Sequence, residues 1–111
     1  MAQNGCSWTQ CTDDDVDYAV ALAKAAAENL CIDSGRVFAV GGSNGGMFTW
    51  DLGRTALSAQ MFRAIAPIIG LPHRGYLDSP VRSGGMPALV ITGKQDRTVP
   101  PGEWLDTEFT T

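Results

Sequence analysis

The chain has 111 residues, of which 44% are apolar, and its formal net charge is −4. This length allows one ordinary domain, and the apolar share predicts a packed core and excludes wholesale disorder. Without a cluster of Lys or Arg, the acidic balance argues against nucleic acid and anionic membrane surfaces as partners, and no apolar stretch is long enough to cross a bilayer.

Residues 1–12 are polar, show no secretion signal, and are predicted to be loop. They contain Cys6 and Cys11, and the third cysteine is Cys31. A disulfide between Cys31 and one of the other two would indicate an oxidising compartment, and three reduced thiols are the alternative. A zinc site is excluded because four ligands are wanted and the only histidine, His73, lies far along the chain.

A helix is predicted to begin at residues 13–15, because three consecutive aspartates suit a helix N-terminus. Apolar residues then recur at spacings of three and four, which predicts one apolar face. They are Val16, Ala19, Val20, Ala23, Ala26, Ala27 and Leu30. The helix is predicted to end within residues 29–33, before a turn at Ser34 and Gly35.

Three apolar runs predict strands, over residues 36–40, 64–69 and 88–92. The first is rich in apolar and β-branched residues, as is typical of a strand buried on both faces. A helix is predicted over residues 47–57, with Gly53 weakening its end. Strands separated by helices or long connections predict an α/β fold with a mostly parallel sheet of about three strands.

A glycine-rich segment, residues 41–46, joins the first predicted strand to the second predicted helix. In the spacing Gly41-x-Ser43-x-Gly45, a strained turn would project the serine hydroxyl from the sheet edge, while the flanking glycines let strand and helix approach closely. The N–H of Asn44 is suited to hold an oxyanion there. The alternatives are a plain turn and a phosphate-binding loop, although the spacing fits neither the dinucleotide fingerprint nor the Walker A loop.

Asp96 follows the third predicted strand. A carboxylate at that position shares the sheet edge with Ser43 and can orient a catalytic imidazole, and the alternative is an aspartate that caps the turn before Val99. The order of Ser43 before Asp96 favours the catalytic interpretation. A histidine is expected after the acid, but His73 precedes it and is interpreted as a surface or substrate-facing loop residue.

Five segments occur in the order found in one hydrolase group. They are Asp14-Asp15-Val16-Asp17-Tyr18, Cys31-Ile32-Asp33-Ser34-Gly35-Arg36-Val37, Gly42-Ser43-Asn44-Gly45-Gly46-Met47, Phe62-Arg63-Ala64-Ile65-Ala66-Pro67 and Gly93-Lys94-Gln95-Asp96-Arg97-Thr98-Val99-Pro100. Together they resemble the polyhydroxybutyrate depolymerase and feruloyl esterase group of α/β-hydrolases. Members of this group are secreted enzymes that cut esters of polymers and of plant cell-wall phenolics.

The resemblance implies a three-layer α/β-hydrolase sandwich, an extracellular location, Ser43 as nucleophile and Asp96 as triad acid. It also implies that Cys31 is half of a disulfide. The chain departs from the group at Thr92, where a histidine usually precedes the acid loop. The group's opening strands with the oxyanion loop, and its final strand with the catalytic histidine, have no counterpart in residues 1–111. The chain is therefore expected to be a partial catalytic domain from the centre of the fold.

The expected function is that of a serine carboxylic-ester hydrolase that acts through an acyl-enzyme and needs no metal or organic cofactor. Its expected substrates are polyesters or feruloyl- and acetyl-type polysaccharide esters. The alternatives are a non-catalytic remnant or interaction module, and a peptidase or dienelactone-type hydrolase on the same fold. Uncovered apolar strand edges are also expected to promote self-association.

Overall fold

A computed structural model describes residues 14–70 and 85–99 of the chain. Two helices and two strands alternate along the described part, with a short 3₁₀ helix before the second strand. They are α1 (Asp14–Asn29), β1 (Phe38–Gly42), α2 (Asn44–Arg54), the 3₁₀ helix (Ser58–Gln60) and β2 (Ala64–Ile68). No helix among these residues is long and apolar enough to cross a membrane.

Helix α1 confirms the predicted apolar face, since Val16 and Val20 are buried in the core and three of the alanines pack beside it: Ala19, Ala23 and Ala27. Its bounds, Asp14–Asn29, also agree with the prediction to within a residue. Leu30 is the exception, because it lies in a bend after the last helical residue and its side chain is exposed. The buried face of the helix therefore ends at Ala27, before the last apolar residue of the predicted pattern, Leu30.

Strands β1 and β2 pair in parallel, with Phe38 opposite Ala64 and Gly42 opposite Ile68. Helix α2 connects them and packs against both strands. The mixed α/β class and the parallel sheet are thus confirmed. Both strands and α2 are shifted or shortened from the predicted ranges, and α2 begins at Asn44, immediately after the glycine-rich segment.

The third predicted strand, residues 88–92, is not a regular strand in the structure. It makes two isolated parallel bridges to β2, from Ala88 to Ile65 and from Ile91 to Ile68. Backbone hydrogen bonds join the two segments at both bridges. Between the bridges a regular ladder would require an N–H donated by residue 67, and Pro67 has none. The prediction of about three strands is therefore wrong in detail: among residues 14–70 and 85–99 two strands are regular, and the proline of β2 interrupts the third.

The prediction that the first strand is buried on both faces is also wrong. Ala39 faces the core with Ile65, whereas Phe38 is 58% exposed and Val40 is 66% exposed. Helices α1 and α2 both contribute to the core cluster that contains Ala39, so in the described part they cover the same side of the sheet. The other side, here called the open face, is apolar and bears Phe38, Val40 and Leu89 together with a groove of about 350 Å³.

Candidate active site

Ser43 is the single residue between the end of β1 and the start of α2. Its backbone angles, φ 52° and ψ −119°, lie in a region that residues with a Cβ rarely adopt. A residue held in such a conformation costs the fold on the order of 1–3 kcal/mol and persists only where its surroundings fix it. The strained serine turn that the sequence predicted is therefore present at this position.

The backbone of Ser43 is fixed on both sides by hydrogen bonds. Its N–H donates to the carbonyl of Ile68 in the neighbouring strand at 2.9 Å, and its carbonyl accepts from the N–H of Met47 at 3.0 Å. Ser43 thus caps α2 with its carbonyl, while its side chain makes no capping hydrogen bond. Because serine hydroxyls commonly cap helices, this leaves the Ser43 hydroxyl available for a different task.

Close backbone contacts surround this turn and depend on particular glycines. A Cβ on Gly41 would collide with the carbonyl group of Gly45 and with the hydroxyl of Thr49. A Cβ on Gly46 would lie 2.9 Å from the Ile68 carbonyl oxygen. At Gly45, by contrast, a Cβ would meet nothing within 4 Å. The sequence prediction was right about Gly41, but the second position that requires glycine is Gly46 and not Gly45.

The turn after β2 is a second strained element beside Ser43, and it was not predicted from the sequence. Ile69 has φ 45°, and a Cβ on the next residue, Gly70, would lie 2.6 Å from the Ser43 carbonyl oxygen. The indole N–H of Trp50 in α2 donates to the Gly70 carbonyl at 2.8 Å. No sequence signal marks Ile69, because a β-branched residue is among the least expected at positive φ.

Asp96 lies on the loop that follows the bridge at Ile91. The segment that holds Ile91 pairs with β2, and β2 pairs with β1 on its other side. At the usual strand spacing, the segments that precede Asp96 and Ser43 are therefore about 10 Å apart. Both segments end at the same edge of the sheet. The Oδ1 atom of Asp96 accepts from the N–H of Thr98 at 2.8 Å and of Val99 at 2.9 Å. The turn-capping role is therefore present, and a catalytic role would use Oδ2.

These two hydrogen bonds also stabilise the ionised form of the carboxylate. The Val99 N–H, and then the Thr98 N–H, lower the pKa of Asp96 below its ordinary value of 3.8. Hydrogen bonds donated to a carboxylate favour its ionised form. Asp96 is an anion at neutral pH, as an ordinary aspartate is, and the lowered pKa keeps it ionised to more acidic pH. The anion is the state required to orient and stabilise an imidazolium.

Comparisons of the chain with protein-family models, with curated proteins and with solved structures find no match.

Several of the predicted site residues lie outside the described ranges. His73, Cys6 and Cys11 lie outside them. Cys31 is exposed with a free thiol in the structure, and the disulfide stays a prediction because both candidate partners are among the undescribed residues. Within residues 14–70 and 85–99, no group of three or more His, Cys, Asp or Glu side chains is placed to hold a metal ion.

The arrangement contains three features that are typical of a nucleophilic serine, without the base. Ser43 is held by its backbone at the N-terminus of an 11-residue helix, whose dipole favours negative charge at that end. The N–H that follows it belongs to Asn44, the first residue of α2. An ionised carboxylate, Asp96, lies at the same sheet edge. Such a site is suited to attack by a hydroxyl on a carbonyl and to stabilisation of the resulting oxyanion.

Proposed function

We propose that this chain carries the nucleophile and the acid of a serine carboxylic-ester hydrolase. The observation that supports the proposal best is the strained backbone of Ser43, with φ 52° and no capping bond from its side chain. A serine that only capped α2 would use its hydroxyl for the helix and would need no positive φ. Strain at a single serine between a strand and a helix is typical of a nucleophile presented at a sheet edge.

In the proposed reaction, the Ser43 hydroxyl oxygen attacks the carbonyl carbon of an ester while a base removes the hydroxyl proton. The carbonyl oxygen becomes an oxyanion, which the N–H of Asn44 would hold. The alcohol then leaves with the proton returned by the base, and an acyl-enzyme remains on Ser43. Water cleaves the acyl-enzyme by the same sequence of steps and releases the carboxylic acid.

The proposed base is an imidazole oriented by Asp96. His73 does not fit the chain order Ser, Asp, His that such hydrolases use, so the proposal assigns the base to a histidine outside the 111 residues. Oδ1 of Asp96 is engaged by its own loop, and Oδ2 would therefore accept the imidazole N–H. No metal ion or organic cofactor takes part in this scheme.

The substrate class and location rest on the sequence resemblance. Polyesters and feruloyl- or acetyl-type polysaccharide esters are the proposed substrates, and the proposed location is extracellular. A peptidase or dienelactone-type hydrolase would use the same serine, because the fold and the turn do not fix the leaving group. Parallel assays on aryl ester and anilide substrates would separate an esterase from a peptidase.

A second candidate is a non-catalytic interaction module, and the open face favours it. Phe38, Val40 and Leu89 expose apolar side chains on a side of the sheet that no described element covers. Such a patch promotes association with other protein surfaces, including a second copy of the chain. Sedimentation of the wild-type chain and of Val40→Lys tests this. A monomer at both low and high concentration would contradict self-association.

The principal experiment is labelling of the serine by an alkyl fluorophosphonate, with and without imidazole in solution to replace the base. We expect imidazole-dependent labelling at Ser43, located by mass spectrometry of the digested chain. Ser43→Ala is the control for background reaction. Ser58→Ala is the control that removes a different serine, one whose buried hydroxyl donates to the Leu52 and Thr55 carbonyls. Equal labelling of the wild type and Ser43→Ala would refute the proposed function.

A further inference from the structure

Among the described residues, only two non-glycine residues have positive φ, and they are neighbours in space. Ser43 (φ 52°) follows β1, and Ile69 (φ 45°) follows β2. The two strands are parallel and adjacent, with Gly42 opposite Ile68. The two strained residues therefore occupy equivalent positions at the same sheet edge.

Ile69 lies between two residues that contact Ser43. The residue before it, Ile68, accepts the Ser43 N–H, and the residue after it, Gly70, packs against the Ser43 carbonyl. On its other side, the Ile69 N–H donates at 2.7 Å to the carbonyl of Ile91, from which the chain continues to Asp96. Ile69 thus stands between the segment that carries the proposed nucleophile and the segment that carries the proposed acid.

The identity of this residue is not explained by the backbone. Glycine and, less readily, asparagine adopt positive φ, whereas a β-branched residue there is a genuine outlier. Burial does not explain it either, since Ile69 remains 38% exposed. A partly exposed, branched, apolar side chain held in a strained turn beside a nucleophile is best explained by a contact that it makes with a bound molecule.

We infer that Ile69 is a specificity-determining residue, and that its side chain contacts an apolar acyl group of the ester attacked by Ser43. This inference rests on the proposed function and names the substrate class more narrowly. An apolar side chain at this edge stabilises a bound acyl group of several carbons more than it stabilises acetyl, because the contact grows with the apolar area removed from water. The alternative is that positive φ at residue 69 only allows Gly70 to approach Ser43.

The test compares two fluorophosphonates that differ only in alkyl length, ethyl and octyl, by their rates of labelling at Ser43 in the presence of imidazole. The variants are Ile69→Gly and Ile69→Ala, and Leu89→Ala is the matched control, since Leu89 is an exposed apolar residue on the open face. We expect the octyl-to-ethyl rate ratio to fall about tenfold in both Ile69 variants, the effect of losing an apolar pocket contact. The control keeps the wild-type ratio.

The outcomes separate the two proposals. Labelling at Ser43 with an unchanged octyl-to-ethyl ratio in both Ile69 variants overturns the role of Ile69 and leaves the proposed function standing. No labelling of Ser43 in the wild type overturns the proposed function and this inference with it. Ile69→Gly relieves the strained φ, so urea unfolding of this variant is expected to show no loss of stability, and a changed ratio then reports a lost contact.

Discussion

The N–H of Ser43 donates to the carbonyl of Ile68 at 2.9 Å, although Ser43 lies beyond the last residue of β1. The hydrogen bond continues the parallel ladder by one residue into the turn. It therefore couples the conformation of the proposed nucleophile directly to the neighbouring strand. A change in β2 or in the turn after it is therefore expected to alter the backbone conformation of Ser43 without any side-chain contact between them.

The strain at Ser43 predicts that removing it stabilises the fold. Ser43→Gly is expected to raise the free energy of unfolding by about 1 kcal/mol, because glycine adopts φ 52° at little cost. Ser43→Ala removes the same hydroxyl but keeps the Cβ, so its stability is expected to stay within about 0.5 kcal/mol of the wild type. Urea unfolding of the three proteins checks this, and equal stability of the two variants would contradict it.

The two glycines that flank Ser43 are expected to respond in opposite ways to the same substitution. Gly41→Ala drives a Cβ into the Gly45 carbonyl group and is expected to cost about 3 kcal/mol. Gly45→Ala places its Cβ in open space inside α2, where alanine is favoured over glycine by up to about 1 kcal/mol. Thermal unfolding measured by circular dichroism checks both. Similar losses in the two variants would show that the glycines are equivalent.

Substitutions of Asp96 separate its turn-capping role from its proposed catalytic role. Asparagine keeps an Oδ1 acceptor for the Thr98 and Val99 N–H groups, whereas alanine removes it. Asp96→Ala is therefore expected to unfold at a lower temperature than Asp96→Asn. If Asp96 orients the base, both variants lose activity, and the loss in Asp96→Asn reaches about 10⁴-fold in kcat for a protein that has its histidine. Full activity of Asp96→Asn would show that Asp96 only caps the turn and has no catalytic role.

The lowered pKa of Asp96 predicts how its loop responds to acid. A carboxyl group whose pKa is lower in the folded state stabilises the fold above its unfolded pKa, and this contribution is lost as pH falls through the folded pKa. The two hydrogen bonds to Oδ1 are therefore expected to persist at pH 5 and to weaken only below about pH 4. NMR titration of the Thr98 and Val99 amide proton shifts checks this. A midpoint at or above 3.8 would contradict it.

A buried ion pair on α2 provides a prediction on stability. The Asp51 carboxylate is 3.6 Å from the Arg54 guanidinium, and the two side chains are only 3% and 15% exposed. Asp51→Ala is expected to cost about 3 kcal/mol, because it removes an anion from beside a largely buried cation. The control is Asp33→Ala, which breaks an exposed pair with Arg36 and is expected to change the unfolding midpoint little. Chemical denaturation of both variants decides the matter.

The helices and strands were predictable wherever the pattern is local. The spacing of Val16 and Val20 identifies the buried face of α1, and the short apolar runs identify β1 and β2. The interruption of the third strand was also open to prediction, since Pro67 stands in the middle of the strand that would pair with it. Exposure of one face of β1 was not, because apolar strand residues do not reveal which faces are covered.

The candidate site was predictable in part. The spacing of Gly41 and Ser43 after a strand predicted a strained serine, and the positive φ of Ser43 in the structure confirms the strain. The close approach of Gly46 and Gly70 could not be foreseen, since it depends on where β2 ends relative to α2. The same holds for Ile69, whose conformation arises from contacts with its neighbours and opposes its own preference.

The hydrogen bond from the Trp50 indole to the Gly70 carbonyl gives the site a natural optical probe. Indole emission changes with the polarity and hydrogen bonding around the ring, and this ring is anchored to the residue that packs beneath Ser43. With Trp8 and Trp104 replaced by phenylalanine, the remaining tryptophan emission would come from Trp50 alone and would be sensitive to this turn. Opening of the turn could then be followed in real time, and far-UV circular dichroism would distinguish it from unfolding of α2, the helix that carries Trp50.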